Sequence, residues 1–398
     1  MFLEKMQKRN PELIEKALYL HQNNILEPDT YILDLDQIQA NSALMAETAA
    51  ENNLKLYFMS KQLGRNPLAA QAVVEAGIKK AVAVDPWEAR TLAQAGIQLG
   101  NVGHLVQVPT SMLEEMIAYE PEIMTVYSLQ KAEQISKIAL RQNRVQPIMI
   151  RIYSENSFNY KGQVGGFDLK NLEKYIPRLI ELEGVEIKGV TAFPCLLFNY
   201  KKQKIETTPN LELVIKTAKI LNDKYGLTIE QLNTPSVSCQ RTIPILADAG
   251  ATHGEPGHAL TGTTPYHAYH DDGEKPAMIY ISEVSHIKKS QAYTFGGGFY
   301  SRSHLKNALV ASTSDQNSRR IYPASQPEAD MIDYYASLEN IDQKLKVGDT
   351  VLYAFRTQIF VTRSRVAVIS GIQHGKLKLQ GIYSSQGRLI DKKGGLRF

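Results

Sequence analysis

The sequence predicts an α/β protein in which a (β/α)8 TIM barrel is followed by a C-terminal antiparallel β domain. Eight apolar, strand-like runs alternate with helix-like stretches through the first two thirds of the chain, and this alternation is typical of a barrel of parallel strands. After Pro276 the runs are short and alternating, without helical spacers, which is typical of antiparallel strands. A doubly wound sheet is the competing architecture, but it does not need an eighth strand.

Length and composition are those of a two-domain globular protein. The 398 residues exceed one ordinary core, and the chain is 43% hydrophobic and 22% charged. The 45 basic residues nearly balance 41 acidic ones, for a net charge of +4, so nothing indicates binding to nucleic acid or to a membrane. With only Cys195 and Cys239, and without an apolar signal core, we expect a cytoplasmic protein free of disulfides.

The elements are expected in the following order. Residues 3–25 predict a helix, and residues 31–41 predict a strand that continues into a helix. We therefore expect a helical lead-in over residues 1–30, the barrel over residues 31–270 and the β domain over residues 271–398. The eight main barrel strands are predicted at residues 55–60, 79–84, 102–107, 123–127, 147–153, 185–193, 228–234 and 251–255. Within the β domain, residues 330–338 are compatible with either a helix or a strand.

Lys61 is the first candidate catalytic residue. It ends the apolar run of the first main barrel strand, and Gly64 and Pro67 then interrupt the pattern. This position lies at the carboxyl rim of a barrel, where the catalytic residues of barrel enzymes are found. A single lysine at a strand end is usually a solvated surface residue. However, a second polar stretch at residues 254–263 lies where a partner for a catalytic lysine would be expected.

These motifs resemble those of the alanine-racemase-like, fold-type III enzymes, which hold pyridoxal phosphate (PLP) as a Schiff base on a lysine after the first barrel strand. The stretch SKQLGRNP stands where the family has VKANxYGHG, so the resemblance implies that Lys61 is the Schiff-base lysine. Arg65 falls where the racemases have a tyrosine that contacts the cofactor phosphate, and arginine can bind a phosphate through two hydrogen bonds. The order of barrel, β domain and lysine extends the resemblance over nearly the whole chain. It also implies a head-to-tail homodimer.

The resemblance assigns further cofactor contacts on three barrel strands. Residues 231–240 lie where the racemases have a Ser/Asn-rich phosphate loop, although the same hydroxyl groups can also cap the next helix. Arg151 corresponds to a modified lysine of the family. The stretch Glu255–Pro256–Gly257–His258 matches RPGI of the racemases by position and EPGR of the basic-amino-acid decarboxylases by residue type. The cofactor-binding candidates are therefore Lys61, Arg65, Arg151, Asn233, Ser236, Ser238, Glu255, Gly257 and His258.

Within this set, Glu255 and Gly257 have specific implied roles. A glutamate facing the pyridine nitrogen of PLP keeps that nitrogen protonated, which makes the ring a strong electron sink. Gly257 lets backbone amides approach the phosphate closely.

Other positions depart from the racemase pattern. Ala192 replaces a histidine that stacks on the ring, and Val164 replaces an arginine on the substrate side. The second catalytic base of the racemases is a tyrosine, and Phe295 stands at that place. The neighbouring Tyr293 and Tyr300 are therefore the candidates for the second catalytic hydroxyl. Aromatic residues beside three glycines are equally compatible with a simple β-bulge.

The remaining candidates concern the substrate and metals. Arg302 and His304 are candidates for binding a substrate carboxylate. His258, His267 and His270 have spacings found among metal ligands, but no third ligand follows from the spacing. A capping or solvated role is favoured for them, and no metal is expected. Trp87 and Glu88 are interpreted as structural.

The resemblance implies a PLP-dependent enzyme that acts at the α-carbon of an amino acid. Racemisation needs a base on each face of the substrate, with Lys61 serving one face and a tyrosine the other. The barrel-then-β layout favours an amino-acid racemase. A fold-type III decarboxylase is the first alternative, because Glu255 is more familiar there. A non-catalytic PLP-binding protein and a cofactor-free barrel enzyme are the others.

Overall fold

The computed structural model describes residues 1–297, 299, 302–313, 318–326, 328 and 330–391. Its α-helices are α1 (Phe2–Arg9), α2 (Pro11–Gln22), α3 (Leu35–Glu51), α4 (Pro67–Glu75), α5 (Pro86–Gln94), α6 (Leu113–Ala118), α7 (Leu129–Arg141), α8 (Leu172–Ile180), α9 (Pro209–Tyr225) and α10 (Ile243–Asp248). The first twelve strands are β1 (Thr30–Asp34), β2 (Lys55–Met59), β3 (Lys80–Ala83), β4 (Gln98–Val102), β5 (Ile123–Val126), β6 (Gln146–Tyr153), β7 (Phe167–Asp168), β8 (Val185–Thr191), β9 (Leu196–Asn199), β10 (Lys204–Thr207), β11 (Gln231–Asn233) and β12 (His253–Gly254). The later strands are β13 (Met278–Lys288), β14 (Gln291–Phe295), β15 (Asn307–Ala311), β16 (Arg319–Pro323), β17 (Tyr335–Glu339), β18 (Thr350–Tyr353), β19 (Arg365–Ser370), β20 (Lys378–Ser384) and β21 (Leu389–Asp391).

The chain divides into two compact units. We call Ser42–Ser60 and Val73–Gly257 the barrel unit. We call Met1–Asn41, Lys61–Ala72 and His258–Phe398 the β unit.

The barrel unit contains a closed barrel of eight parallel strands. Around the barrel the order is β2, β3, β4, β5, β6, β8, β11 and β12, and β12 then pairs with β2 to close the ring. The buried faces of the strands are rich in Ile, Val, Met and Ala, as expected when both faces of a parallel sheet are covered. The predicted TIM barrel is confirmed.

Strand β4 differs from its prediction. The expected strand at residues 102–107 shares only Val102 with the observed one, because Gly103 has a φ of +92° and turns the chain at that point. The observed strand contains Gly100 and Asn101, which weaken its strand-like pattern in the sequence. Gly100 is required by packing, since a Cβ there would lie 2.2 Å from the Tyr57 ring.

The β unit is built on an antiparallel sheet, and the predicted C-terminal sheet domain is confirmed. Its main order is β16, β15, β18, β13, β1, β19, β20 and β21, and β14 pairs with β13 and β17. The strand that we expected to begin the barrel at residue 31 belongs to this sheet instead. Thr30–Asp34 runs antiparallel to β13 and parallel to β19. All five of its residues are buried, a pattern that fits either sheet, so the sequence alone does not specify the partner strands.

The helical lead-in is two helices rather than the single helix predicted over residues 3–25. Asn10 separates them, with its side chain accepting a hydrogen bond from the Leu13 N–H and Pro11 beginning α2. This is a standard N-terminal arrangement for a new helix. Leu3, Met6 and other apolar residues of both helices share one core with the sheet. In the described part of the chain, no helix combines the length and apolarity that crossing a membrane requires.

Candidate functional site

Two of the predicted site residues follow neighbouring barrel strands. Glu255 comes directly after β12, and Lys61 comes two residues after the last residue of β2. These strands pair in parallel, and the Met59 N–H donates to the Pro256 carbonyl oxygen over 2.8 Å. The carboxyl ends of neighbouring parallel strands meet at one edge of the barrel, which is the edge that carries active sites in barrel enzymes.

The end of β2 is fixed by Glu88. Its Oε1 accepts a 2.5 Å hydrogen bond from the Ser60 hydroxyl, and its Oε2 accepts a 2.9 Å bond from the Val84 N–H. Asp85 in turn accepts from the Glu88 N–H over 2.9 Å. Ser60, the residue before Lys61, is therefore held in a defined position. The structural role expected for Glu88 is to link the ends of β2 and β3 through these hydrogen bonds.

Glu255 is a buried carboxylate held by nitrogen groups on three other strands or loops. Its Oε1 accepts from Asn233 Nδ2 at 2.6 Å and from Asn101 Nδ2 at 3.2 Å. Its Oε2 lies 3.3 Å from His104 Nε2, and both side chains are fully buried. Thr125 donates to Asn101 Oδ1 over 2.8 Å, so the amide NH2 of Asn101 is directed at Glu255.

The N–H groups of Asn233 and Asn101 stabilise negative charge on Glu255, because both donate hydrogen bonds to its Oε1. A buried carboxylate with this set of partners is suited to accept a hydrogen bond from a cationic ring N–H. In addition, Asn233 Oδ1 is buried and has no hydrogen-bond partner among the described residues. These buried acceptor groups therefore fit the protonated ring nitrogen of PLP.

The two serines of the expected phosphate loop have different hydrogen bonds. The Ser236 hydroxyl donates to the Leu196 carbonyl oxygen over 2.8 Å, which uses its only proton. Ser238 Oγ accepts from the Glu255 N–H over 3.0 Å and keeps its own proton available for donation. Neither serine caps α10, because the N-cap position belongs to Thr242. Ser238 is thus better suited than Ser236 to donate to a phosphate.

Arg151 is buried in the barrel unit and already has partners there. Its Nη1 donates to the Tyr127 hydroxyl over 2.5 Å, and its Nη2 donates to the Gln163 carbonyl oxygen over 2.6 Å. The Tyr127 hydroxyl donates to the His104 carbonyl oxygen over 2.5 Å. Arg151 is thus linked through Tyr127 to the residue that pairs with Glu255. This arrangement gives Arg151 a supporting contact in addition to the direct cofactor contact that the sequence predicts.

In the β unit, Lys61 begins a short 3-10 turn, Lys61–Leu63. Its Nζ lies 6.0 Å from the centre of the Phe360 ring, and the Arg65 guanidinium lies 5.3 Å from the same ring. Arg65 has a φ of +53° and donates through Nη1 to Gln386 Oε1. The predicted cationic residues Lys61 and Arg65 are therefore neighbours around one aromatic side chain.

His258 is half-buried and neutral. Its Nε2 lies 2.7 Å from the Thr357 carbonyl oxygen, so Nε2 carries the proton and Nδ1 is the acceptor, 3.5 Å from Gln62 Nε2. Burial is the main cause that holds the pKa of His258 well below its usual value, and the charge of Arg356 is the next cause. A neutral histidine can orient its neighbours without adding a charge.

The remaining predicted residues are more scattered. Tyr293 lies in β14, stacks on His286 at 4.6 Å and donates to Gln291 Oε1 over 3.0 Å, so it has a structural role in the sheet. Arg302 is exposed and His304 is half-buried. Tyr300 lies outside the described residues.

The histidines considered as metal ligands have other partners. His267 pairs with Glu274 at 2.9 Å, and His270 stacks on Tyr266 at 4.1 Å. In the part of the chain that the structure describes, no three metal-binding side chains form a group.

Of the residues that surround Glu255 and Arg151, the sequence predicts Asn233 but not Asn101, His104, Thr125 or Tyr127. The available signal was the presence of polar residues inside otherwise apolar barrel segments, since such residues must find partners in the barrel interior.

Comparison with known proteins identifies relatives of both units. The alanine racemase N-terminal domain model matches residues 33–265, and the YhfX-like C-terminal domain model matches residues 279–379. The Escherichia coli (strain K12) protein described as "Uncharacterized protein YhfX" is 39% identical over 390 residues, covering 98% of this chain and 100% of the relative.

Solved structures show the same fold at low identity. Alanine racemase of Clostridium difficile 630 in complex with cycloserine has a TM-score of 0.61 at 19% identity, covering 89% of this chain and 98% of that one. D-threonine aldolase from Filomicrobium marinum has a TM-score of 0.65 at 16% identity, covering 91% and 96%. D-threo-3-hydroxyaspartate dehydratase from Delftia sp. HT23 has a TM-score of 0.63 at 14% identity, covering 89% and 97%. The chain belongs to the alanine-racemase-like family defined by the alanine racemase N-terminal domain, and it carries a YhfX-like C-terminal domain.

Proposed function

We propose that this protein is a PLP-dependent enzyme that acts at the α-carbon of an amino acid, and specifically an amino-acid racemase. The observation that carries the proposal is the buried Glu255 carboxylate, which accepts hydrogen bonds from Asn233 and Asn101 and lies 3.3 Å from His104 Nε2. Similar structures are named as an alanine racemase, a D-threonine aldolase and a D-threo-3-hydroxyaspartate dehydratase, and these names support chemistry on amino acids. When bound, PLP withdraws electrons from the α-carbon of an amino acid, so that a bond to this carbon can break.

The chain's own residues have the following roles in this proposal. Lys61 holds the cofactor covalently through Nζ, and the same amine moves a proton to and from the α-carbon on one face. Glu255 holds the proton on the ring nitrogen. Tyr300 is the proposed acid or base on the other face. Tyr293 is the second candidate for that role, although its hydroxyl donates to Gln291.

The phosphate contacts are proposed for residues that can donate hydrogen bonds. Ser238 retains a hydroxyl proton, Arg65 has a guanidinium, and the backbone at Gly257 has no side chain to hinder approach. We keep Arg151, Asn233, Ser236 and His258 as proposed supports of the cofactor, each acting through the contacts described above.

Decarboxylation is the second candidate reaction, and Glu255 is the specific observation that favours it. A glutamate at this position resembles the EPGR stretch of the basic-amino-acid decarboxylases. Decarboxylation needs only one proton donor after carbon dioxide leaves, so it would not need a tyrosine on the second face.

Two measurements test the proposal. Reduction of the PLP-loaded protein with borohydride, followed by peptide mass spectrometry, should place the cofactor on Lys61. Lys61→Ala should abolish the labelling and the activity, whereas Lys55→Ala, at the opposite end of β2, is the matched control and should retain both. Label on another residue would refute the role of Lys61.

The reaction is then identified by incubating PLP-loaded protein with a panel of L- and D-amino acids in heavy water. A gain of one deuteron at the α-carbon, with formation of the other enantiomer, is the racemase result. Loss of carbon dioxide would identify a decarboxylase. Labelled protein that changes no amino acid in the panel would contradict both and favour a PLP-binding protein.

We also propose a homodimer. An exposed apolar patch in the β unit supports it: Phe295 and Tyr335 are cross-strand neighbours, and Tyr334, Met331 and Ile332 extend the patch. Ile332 is 64% exposed, and exposed patches of large apolar residues are typical of association surfaces. Ile332→Asp should shift the protein towards a monomer in sedimentation analysis, and an unchanged mass would show that the patch is not the interface.

A further inference from the structure

The segment after β18 carries buried polar atoms that lack partners. Arg356 and Thr357 follow the end of β18 in irregular conformation. Arg356 Nε and Thr357 Oγ1 are both buried, and neither has a hydrogen-bond partner among the residues that the structure describes. Thr357 is 0% exposed. Because buried polar groups in folded proteins are nearly always hydrogen-bonded, these two donors indicate a binding site for a ligand with acceptor oxygens.

The backbone of this segment is held in place from two sides. The Arg356 N–H donates to the Ser303 carbonyl oxygen over 2.9 Å. On the other side, His258 Nε2 donates to the Thr357 carbonyl oxygen over 2.7 Å. The side chains of Arg356 and Thr357 thus start from a fixed backbone, which reduces the entropy lost when they bind a ligand.

The surroundings of the segment are positively charged. Burial lowers the pKa of His258, and the charges of Arg356, Lys61 and Arg302 lower it further. The pKa of the half-buried His304 is also lowered, first by burial and then by Arg356 and Arg302. Cationic side chains that gather in this way, with two histidines kept neutral, create a field that attracts an anion.

We propose that Arg356 and Thr357 bind an acidic group on the substrate's side chain, so that the substrate is an amino acid with a second anionic group, a carboxylate or a phosphate. This inference rests on the proposed function. Arg302 and His304 remain the proposed contacts of the α-carboxylate. Two guanidinium groups then serve two anionic groups, and the fork of an arginine matches the oxygens of either a carboxylate or a phosphate.

The test is the binding of individual amino acids to the PLP-loaded protein, followed by the change in cofactor absorbance. The probes are aspartate, glutamate and O-phosphoserine, with alanine as the neutral reference, each as both enantiomers. Arg356→Gln should weaken binding of the acidic probes about 10- to 100-fold, the range for loss of a charge-assisted hydrogen bond, and should leave alanine unchanged. Arg356→Lys should retain part of the preference. Arg363→Gln is the matched control, because Arg363 is a partly exposed arginine of the β unit that pairs with Asp333.

Three results would overturn the inference. Equal weakening of alanine and the acidic probes would show that Arg356 binds the α-carboxylate. Weaker binding of PLP itself, measured by titration of the apoprotein, would make Arg356 a contact of the cofactor. Unchanged binding of every probe would remove Arg356 from the site.

Failure of the proposed function has a different signature, namely no absorbance change with any amino acid. In that case thermal unfolding of the protein without PLP, in the presence of inorganic phosphate, decides the matter. Stabilisation of the wild-type protein and of Arg363→Gln, but not of Arg356→Gln, supports an anion site. Equal responses of all three proteins refute it.

Discussion

The pair His104 and Glu255 provides the sharpest test of the barrel interior. The perturbation is His104→Leu, which removes the imidazole and leaves Glu255 with its two asparagine donors. Both side chains are fully buried, with His104 Nε2 3.3 Å from Glu255 Oε2. The imidazole is a polar neighbour of a carboxylate that is shielded from water, and removing such a partner from a buried polar group costs about 1–3 kcal/mol. We therefore expect His104→Leu to lower the free energy of unfolding by about 1–3 kcal/mol.

The assay is a double-mutant cycle with Glu255→Gln, measured by urea unfolding of the protein without PLP. Trp87 is the single tryptophan of the sequence and lies in the barrel unit. Its fluorescence therefore reports the unfolding of that unit. We expect a coupling energy of at least about 1.5 kcal/mol between the two substitutions.

The matched control is the partly exposed pair Arg90 and Glu115 in the same unit, whose atoms approach to 2.6 Å. Such surface pairs contribute about 1 kcal/mol or less. If the coupling of His104 with Glu255 is no larger than that of Arg90 with Glu115, the reasoning about the buried pair is refuted.

The remaining predictions concern stability, packing and cofactor electronics. Burial lowers the pKa of His253 from 6.5 to about 4. The stability that the neutral imidazole provides is therefore complete above pH 6.5 and is lost as the pH falls towards 4, because the unfolded chain binds the proton first. The free energy of unfolding should be about 2 kcal/mol lower at pH 5 for this reason. His253→Gln should lose correspondingly less stability between pH 7 and pH 5 in urea unfolding, and an identical pH dependence would contradict this. Gly100→Ala should cost about 1–3 kcal/mol because its Cβ would lie 2.2 Å from the Tyr57 ring, and calorimetry should show a smaller cost in a Tyr57→Leu background. Glu255→Gln should bind PLP, detected by absorbance, yet exchange the α-proton of amino acids more slowly than the wild type; an equal exchange rate would show that Glu255 does not act on the ring nitrogen.

Much of the architecture was readable from local patterns. In the barrel, each strand-like or helix-like run is short enough to be recognised from neighbouring residues alone. In the β domain, apolar and polar residues alternate with a period of two, which predicts strands. Lys61 at the end of an apolar run, and Glu255 before Pro256 and Gly257, were likewise visible in a few consecutive letters. These features depend on neighbours in the chain, so composition and spacing suffice to find them.

Strand partners required the tertiary structure. Thr30–Asp34 is an apolar run that fits a barrel or an antiparallel sheet equally well, and only its pairing with β13 and β19 places it in the β unit. The sequence does not predict the strand Gln98–Val102, because Gly100 weakens its strand pattern. Only glycine fits at position 100, because a Cβ there would collide with the ring of Tyr57, which is distant in sequence. Pairing energy depends on contacts between residues far apart in the chain, which periodicity does not report.

The sequence by itself determined the barrel, the β domain and the residue types at the candidate site. Only the tertiary structure decided which side chains surround them. Asn101 and His104 are unremarkable in the sequence, yet both contact Glu255, which lies about 150 residues further along the chain. The physical reason is that a buried carboxylate needs polar partners, and the fold, not the local sequence, decides which residues provide them. Closure of the barrel brings residues of β4 and of the following loop to the end of β12.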